Sequence, residues 1–263
     1  MRLAAMADLH YGRTSRGTLA ETFARAAAEA DVVALCGDLT DYGLPEEAEI
    51  LVDDLLDAVD VPLVAVLGNH DYESGREDEV KEVLTRAGVL VLDGDACEID
   101  GVGFAGAKGF CGGFGRGSLS PWGEPMIKAF VQEAVDETLK LESALGRLRS
   151  ERRIALLHYA PIAGTVAGEP PEIYPFLGSS RLAEPLARFP VDAVFHGHAH
   201  RGAAEGRLDD GTPVFNVAVK VMRELLADGP GYRLFEVGEG GRGGGAARDA
   251  EVVEAEPARV AGA

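Results

Sequence analysis

Only three cysteines, Cys36, Cys97 and Cys111, occur in the 263 residues. They are too few and too scattered for a disulfide framework, and they suit a reducing compartment. No apolar run approaches the ~18 residues of a membrane span. The run Met1–Ala7 is cut off by Asp8 and is too short for a signal-peptide core. A cytoplasmic protein with no membrane span is therefore expected. Positive charge is scarce too: 25 Lys and Arg face 44 Asp and Glu, for a formal charge of -19. That balance argues against a nucleic-acid polymer or another large polyanion as partner. It does not exclude a small anionic substrate held through metal ions. Only 5 of the bases are Lys, which with the Ala and Gly content reads as coding bias.

The length allows one large α/β domain or two small ones. Short apolar runs at Leu3–Ala7, Val32–Cys36, Leu63–Leu67, Val89–Leu92, Ile154–Leu157 and Ala193–Phe195 read as buried strands. Ala20–Ala30, Glu46–Val59 and Glu77–Ala87 read as helices between them, the first opened by a capping box of Thr18 and Glu21. Glu98–Ala105 and Pro213–Ala218 look like further strands, with turns at Gly101 and Asp210-Gly211. Tyr232–Val237 reads as the last strand. The β-α-β-α order favours a sheet covered by helices. Two segments stand apart. Lys108–Ser118 is glycine-rich and precedes the lone Trp122 and a long pattern of apolar residues at helical spacing, Ile127 to Leu148. Residues 238–263 hold seven glycines and no aromatic residue, and a disordered tail is expected there.

The six histidines carry the functional signal. His10, His70, His158, His196, His198 and His200 all lie at or just beyond an expected strand, beside Asp, Asn or Gly. In open α/β sheets, ligands bind outside the carboxyl ends of the strands. Five strand ends could thus deliver these residues to one crevice. Residues two apart in extended backbone point to the same side, so Asp8 and His10 can both reach one ion, and His198 and His200 likewise face one side.

The ordered segments Asp8-Leu9-His10, Gly37-Asp38, Gly68-Asn69-His70-Asp71, His158 and Gly197-His198-Ala199-His200 resemble the calcineurin-like metallophosphoesterase superfamily, and its cyclic-nucleotide phosphodiesterase-like branch most. Each segment alone is a weak signal. All five in order, each after an apolar run, are a strong one. The resemblance implies a four-layer sandwich, two packed sheets flanked by helices, over residues 1–237, with an insert at about 108–150. It implies a dinuclear site. Asp8, His10, Asp38 and His200 would hold one ion, and Asp38, Asn69, His158 and His198 the other. Carboxylate, imidazole and amide oxygen suit manganese, iron or zinc. The implied activity is hydrolysis of a phosphate ester, a small phosphodiester above all, by in-line attack of a metal-bridging hydroxide. His70 would be the general acid, oriented by Asp71. A residue such as Asp71 can equally cap a turn.

Other features read both ways. His196 is expected to pack or to steady a ligand, rather than to hold a third ion. Lys108–Ser120 is expected at the substrate entrance, although a tight structural turn would look the same. Trp122 could stack on a nucleobase or anchor a core or interface. Arg13, Arg16 and Arg201 could hold substrate oxygens or lie solvated. Cys36 reads as a small buried hydrophobe. Two rival functions remain: a nuclease of the same superfamily, against which the acidic charge counts, and a non-catalytic metal-binding scaffold. The oligomeric state has no signature in the sequence.

Overall fold

The computed structural model describes residues 1–225 and 229–238, and the backbone of Ala250–Val252. Its first strands are continuous apolar runs: β1 (Arg2–Met6), β2 (Val32–Cys36), β3 (Leu63–Val66) and β4 (Leu90–Val91). Such runs belong to parallel strands buried on both faces. They form a parallel set in the order β1-β2-β3-β4, and β11 (Arg233–Glu236) closes the β1 edge antiparallel.

A second sheet of seven strands contains β5 (Asp95–Ile99), β6 (Val102–Gly106), β7 (Arg152–Leu156), β8 (Ala193–His196), β9 (Glu205–Arg207), β10 (Pro213–Asn216) and β12 (Ala250–Val252). Its order is β12-β5-β6-β7-β8-β10-β9, parallel from β6 through β10 and antiparallel at both edges.

The strand period of two sorts side chains between layers. Ala5, Ala34 and Val64 of the first sheet face Phe104, Ile154 and Phe195 of the second across an inner core. Ala4, Val33, Leu35 and Ala65 face outward against α1 (Ala20–Glu29), α2 (Pro45–Ala58) and α3 (Glu77–Arg86). Ala105, Ala155 and Val194 face α4 (Pro125–Arg147) and α6 (Ala183–Arg188) on the far side, with the single turn α5 (Tyr174–Leu177) between these two helices in the chain. The result is a four-layer sandwich, helices–sheet–sheet–helices. Helix α4 is the long helical pattern expected after Lys108–Ser118, and it buries Leu141, Ala144 and Leu145 on the second sheet.

Three local expectations need correction, while the turn expected at Gly101 falls between β5 and β6, with Asp100 and Gly101 at positive φ. The capping box at Thr18 does not form, because α1 starts after Leu19 and the Thr18 hydroxyl donates instead to the Ser15 carbonyl at 2.7 Å. Trp122 is no core anchor: it stands 66% exposed ahead of α4. The strand near 232–237 is not the last, since β12 follows it. Apart from Gly238 and β12, the tail expected over 238–263 lies outside the described residues.

Candidate metal centre

Side chains that follow the carboxyl ends of β1, β2 and β3 in one sheet, and of β7 and β8 in the other, come together at one place. Beyond β1, Asp8 N–H donates to the Gly37 carbonyl at 2.9 Å, and His10 N–H to the Asp38 carbonyl at 3.0 Å. These bonds lace the first two motif loops together. From the second sheet, His198 N–H donates to both Asp8 carboxylate oxygens at 3.0 Å, and His200 Nε2 lies 2.9 Å from Asp8 Oδ1.

Five non-glycine residues among those described have left-handed φ, and four are Asp8 (60°), His10 (46°), Asp38 (49°) and His198 (68°). Each such backbone costs roughly 1–3 kcal/mol and persists only where its surroundings enforce it. The extended spacing expected of Asp8-x-His10 and of His198-x-His200 therefore does not apply. Their side chains converge because the backbone curls after each strand. Two glycines permit the close approach. A Cβ on Gly68 would overlap the Asp38 carboxylate, and one on Gly197 would overlap Asp8.

Ligand-type atoms fall into three groups, each within 4.8 Å: Asp8, His10 and His200; His10, Asp38 and His70; Asp38, His158 and His198. Asp38 belongs to two of them. Its Oδ1 is 3.3 Å from His158 Nε2, and its Oδ2 is 4.0 Å from His10 Nε2. Asn69 Oδ1 lies 3.0 Å from the same His158 nitrogen.

The donor set fits metal ions. Both ring nitrogens of His10 are buried without a hydrogen-bond partner, which is costly unless something else binds them. Other rings have one nitrogen held by a backbone carbonyl: His158 Nδ1 by Cys36 at 2.9 Å and His198 Nε2 by Phe176 at 3.1 Å. That arrangement fixes the tautomer and leaves the second nitrogen for a ligand bond. Burial lowers His10, and it takes His198 to about 4, helped by His158. Both rings are thus neutral at neutral pH, as ligation needs.

His70 opens a short 3-10 turn, His70–Tyr72, after Asn69, which has helical φ and ψ. The two side chains are thus not separated by extended backbone. A ring nitrogen of His70 lies within ligand range of His10 and Asp38, and its Nδ1 contacts the Asp41 carbonyl at 2.7 Å. Asp71, expected to orient this ring, faces elsewhere. Its buried carboxylate accepts from Gly68 N–H and Thr40 N–H at 2.8 Å, Thr40 hydroxyl at 2.7 Å and Leu39 N–H at 3.2 Å. It therefore ties the Asp38 loop to the Asn69 loop, and the Asp41 carbonyl holds the His70 ring in its place. Burial, then the Asp38 charge, pushes the Asp71 carboxyl above the usual range.

His196 is fully buried, with Nε2 2.7 Å from the Thr165 hydroxyl and Nδ1 2.9 Å from the Gly197 carbonyl. Burial takes it to about 4. Cys36 is fully buried, and its contribution is its carbonyl. Arg16 pairs with Asp53, while Arg13 and Arg201 are exposed. Three holding groups escaped sequence reasoning: the carbonyls of Cys36, Asp41 and Phe176. Main-chain groups leave no mark on residue type.

Two packed sheets whose strand ends bring five histidines, two aspartates and an asparagine together define a metal-dependent phosphoester hydrolase. The chain belongs to the calcineurin-like phosphoesterase family, which it matches over residues 1–202. No protein of curated function is significantly similar in sequence. Among solved structures, the phosphopantetheinyl hydrolase of Mycobacterium tuberculosis is similar at TM-score 0.67 and 16% identity, covering 89% of this chain and 95% of that one. A Thermus thermophilus protein is similar at TM-score 0.55 and 17% identity, over 84% and 90% of the two chains. A putative 5'-nucleotidase of Staphylococcus aureus, in complex with alpha-ketoglutarate, is similar at 0.52 and 18%, over 82% and 48%. At such identities these likenesses speak for the fold alone. No helix among the described residues is long and apolar enough to cross a membrane.

Proposed function

We propose that the chain hydrolyses a small phosphodiester with two metal ions that share Asp38. The supporting observation is the pair of Asp38 oxygens, turned toward His158 on one side and His10 on the other. Asp8, His10 and His200 would complete one ion's ligands, and Asn69, His158 and His198 the other's. Manganese, iron and zinc all suit these donors. Bound ions would supply Lewis-acid charge at phosphorus and acidify a water. Against four positive charges the ligands set only Asp8 and Asp38. A monoanionic diester, together with the proton lost by the attacking water, balances the remainder, so the protein's acidic surface need not exclude the substrate.

The chain's own groups then hold and move protons. The Cys36 and Phe176 carbonyls keep His158 and His198 in the tautomers that ligate. The Asp41 carbonyl accepts from His70 Nδ1, which leaves the other nitrogen to carry a proton to the leaving oxygen. Substrate enters beside Lys108–Ser120. That segment meets the site through the Lys108 carbonyl, which accepts from His158 N–H at 3.0 Å, and through Gly112 and Gly113, which donate to Pro175 and Gly178.

The test is a substrate panel with protein reconstituted with Mn²⁺: phosphomonoesters, cyclic nucleotides, dinucleotides and phospholipid head-group diesters. Turnover of small diesters above monoesters is the expected result. A monoester preference would refute the substrate reading. No turnover of bis(p-nitrophenyl) phosphate by the reconstituted protein would favour the scaffold reading.

A further inference from the structure

Ile173, helix α5 and residues 178–180 form a short, firmly held segment at the rim of the metal centre. Backbone bonds clamp it on both sides. Ala160 N–H donates to the Leu177 carbonyl at 3.0 Å, and Ser179 N–H to the Ala160 carbonyl at 3.1 Å. On the other side Gly112 N–H donates to Pro175 at 2.8 Å, Gly113 N–H to Gly178 at 2.9 Å, and Ser180 N–H to Gly113 at 3.1 Å. Leu177 is buried beneath it. Yet Phe176 keeps 57% of its surface in water and Ile173 keeps 38%. The Phe176 carbonyl is the one that holds His198 Nε2. A large apolar side chain thus stands in solvent on a fixed backbone, and the carbonyl of the same residue is bonded to a candidate metal ligand.

We infer that Phe176, with Ile173 one turn before it in the chain, forms a subsite for an apolar or aromatic group on the ester that stays with phosphorus when the leaving group departs. The inference rests on the phosphodiester reading above and deepens it, because a diester, unlike a monoester, carries such a second organic group. Exposed apolar surface gains free energy when a ligand covers it. The clamped backbone means that little ordering cost opposes the contact.

The test compares two diesters with the same leaving group, phenyl p-nitrophenyl phosphate and methyl p-nitrophenyl phosphate, on protein reconstituted with Mn²⁺. The unmodified protein should prefer the phenyl ester in kcat/KM by roughly tenfold or more, the scale of modest apolar discrimination. Phe176→Ala should collapse that ratio toward one, and Phe176→Trp should keep it. Metal content, measured on each variant, guards against a displaced His198. If Phe176→Ala loses its metal, the ratio in the unmodified protein and in Phe176→Trp decides. Equal kcat/KM for the two esters, or a ratio unmoved by Phe176→Ala, would overturn the subsite while leaving the phosphodiesterase reading intact. No turnover of either ester by metal-loaded protein would overturn that reading as well.

Discussion

His158 Nε2 lies 3.3 Å from Asp38 Oδ1, and His158 Nδ1 lies 2.9 Å from the Cys36 carbonyl. The ring is fully buried. Burial alone would lower its pKa, but the charge and hydrogen bond of Asp38, the Asp8 charge and the Cys36 carbonyl together outweigh burial and raise it to about 9. Burial would raise Asp38, but the His158 charge and hydrogen bond, together with the His70 backbone N–H and ring, outweigh it and hold the carboxyl below its usual range. In the ion-free protein, the pair is charged at neutral pH.

Ion binding requires a neutral ring, so it displaces that proton. At about pH 7.5, adding Mn²⁺ to metal-stripped protein should release protons from His158 and, in part, from His200, which its hydrogen bond to Asp8 raises. Calorimetry in two buffers of different ionisation enthalpy measures the release. The sign for stability follows. A ring raised from 6.5 to about 9 stabilises the ion-free fold fully below the lower value and loses that stabilisation as pH rises through the upper one. The Tm of stripped protein should fall across that window.

Replacing His70 with Ala should leave both ions bound. With an alkoxide leaving group the rate should drop roughly 10²–10⁴-fold, the usual scale of general acid catalysis. With p-nitrophenolate, which needs little protonation, the loss should be much smaller. Equal losses on both substrates with metals in place would show that His70 holds phosphoryl oxygens instead. Loss of metal would make it a ligand, a role its distance from His10 and Asp38 allows.

Asp71→Ala strands the buried donors of Gly68 and Thr40. It should destabilise the fold by roughly 3 kcal/mol, since a buried donor left unpaired loses its full solvation. Thermal unfolding of metal-stripped protein reads this directly. A residue that served only to orient His70 would change rate and leave Tm where it was.

Gly68→Ala should weaken metal binding by roughly 10–100-fold, the range seen when groups around metal ligands are disturbed. The added methyl would displace the Asp38 carboxylate. Gly146→Ala, whose methyl meets only Phe189 at 3.7 Å, is the control. Equal metal affinity in the two variants would contradict the close packing around Asp38.

Much of this was legible in the sequence. Val32–Cys36 is a strand with the expected bounds, because an unbroken apolar run of that length suits a strand buried on both faces. The motif residues follow the strands as expected, since strand ends are where the chain can turn toward a crevice. What misled was the assumption of extended backbone there. Asp8, His10, Asp38 and His198 are left-handed, and that conformation is imposed by partners distant in the chain, such as Gly37 and Asp38 for the first loop. Asp71 misled for a related reason. Its place beside His70 in the chain suggests a pair, while the 3-10 turn aims its carboxylate into the loops. Residue type alone does not tell that Trp122 stays out of the core or that Thr18 turns to the Ser15 carbonyl; their surroundings settle both.

The dinuclear assignment is tested most directly by anomalous diffraction from crystals grown with Mn²⁺. Two peaks ~3.5–4 Å apart, one on each side of the Asp38 carboxylate, are expected from the two-ion arrangement. The first should lie among Asp8, His10 and His200, and the second among Asn69, His158 and His198. A single peak, or two peaks that do not share Asp38, would contradict it.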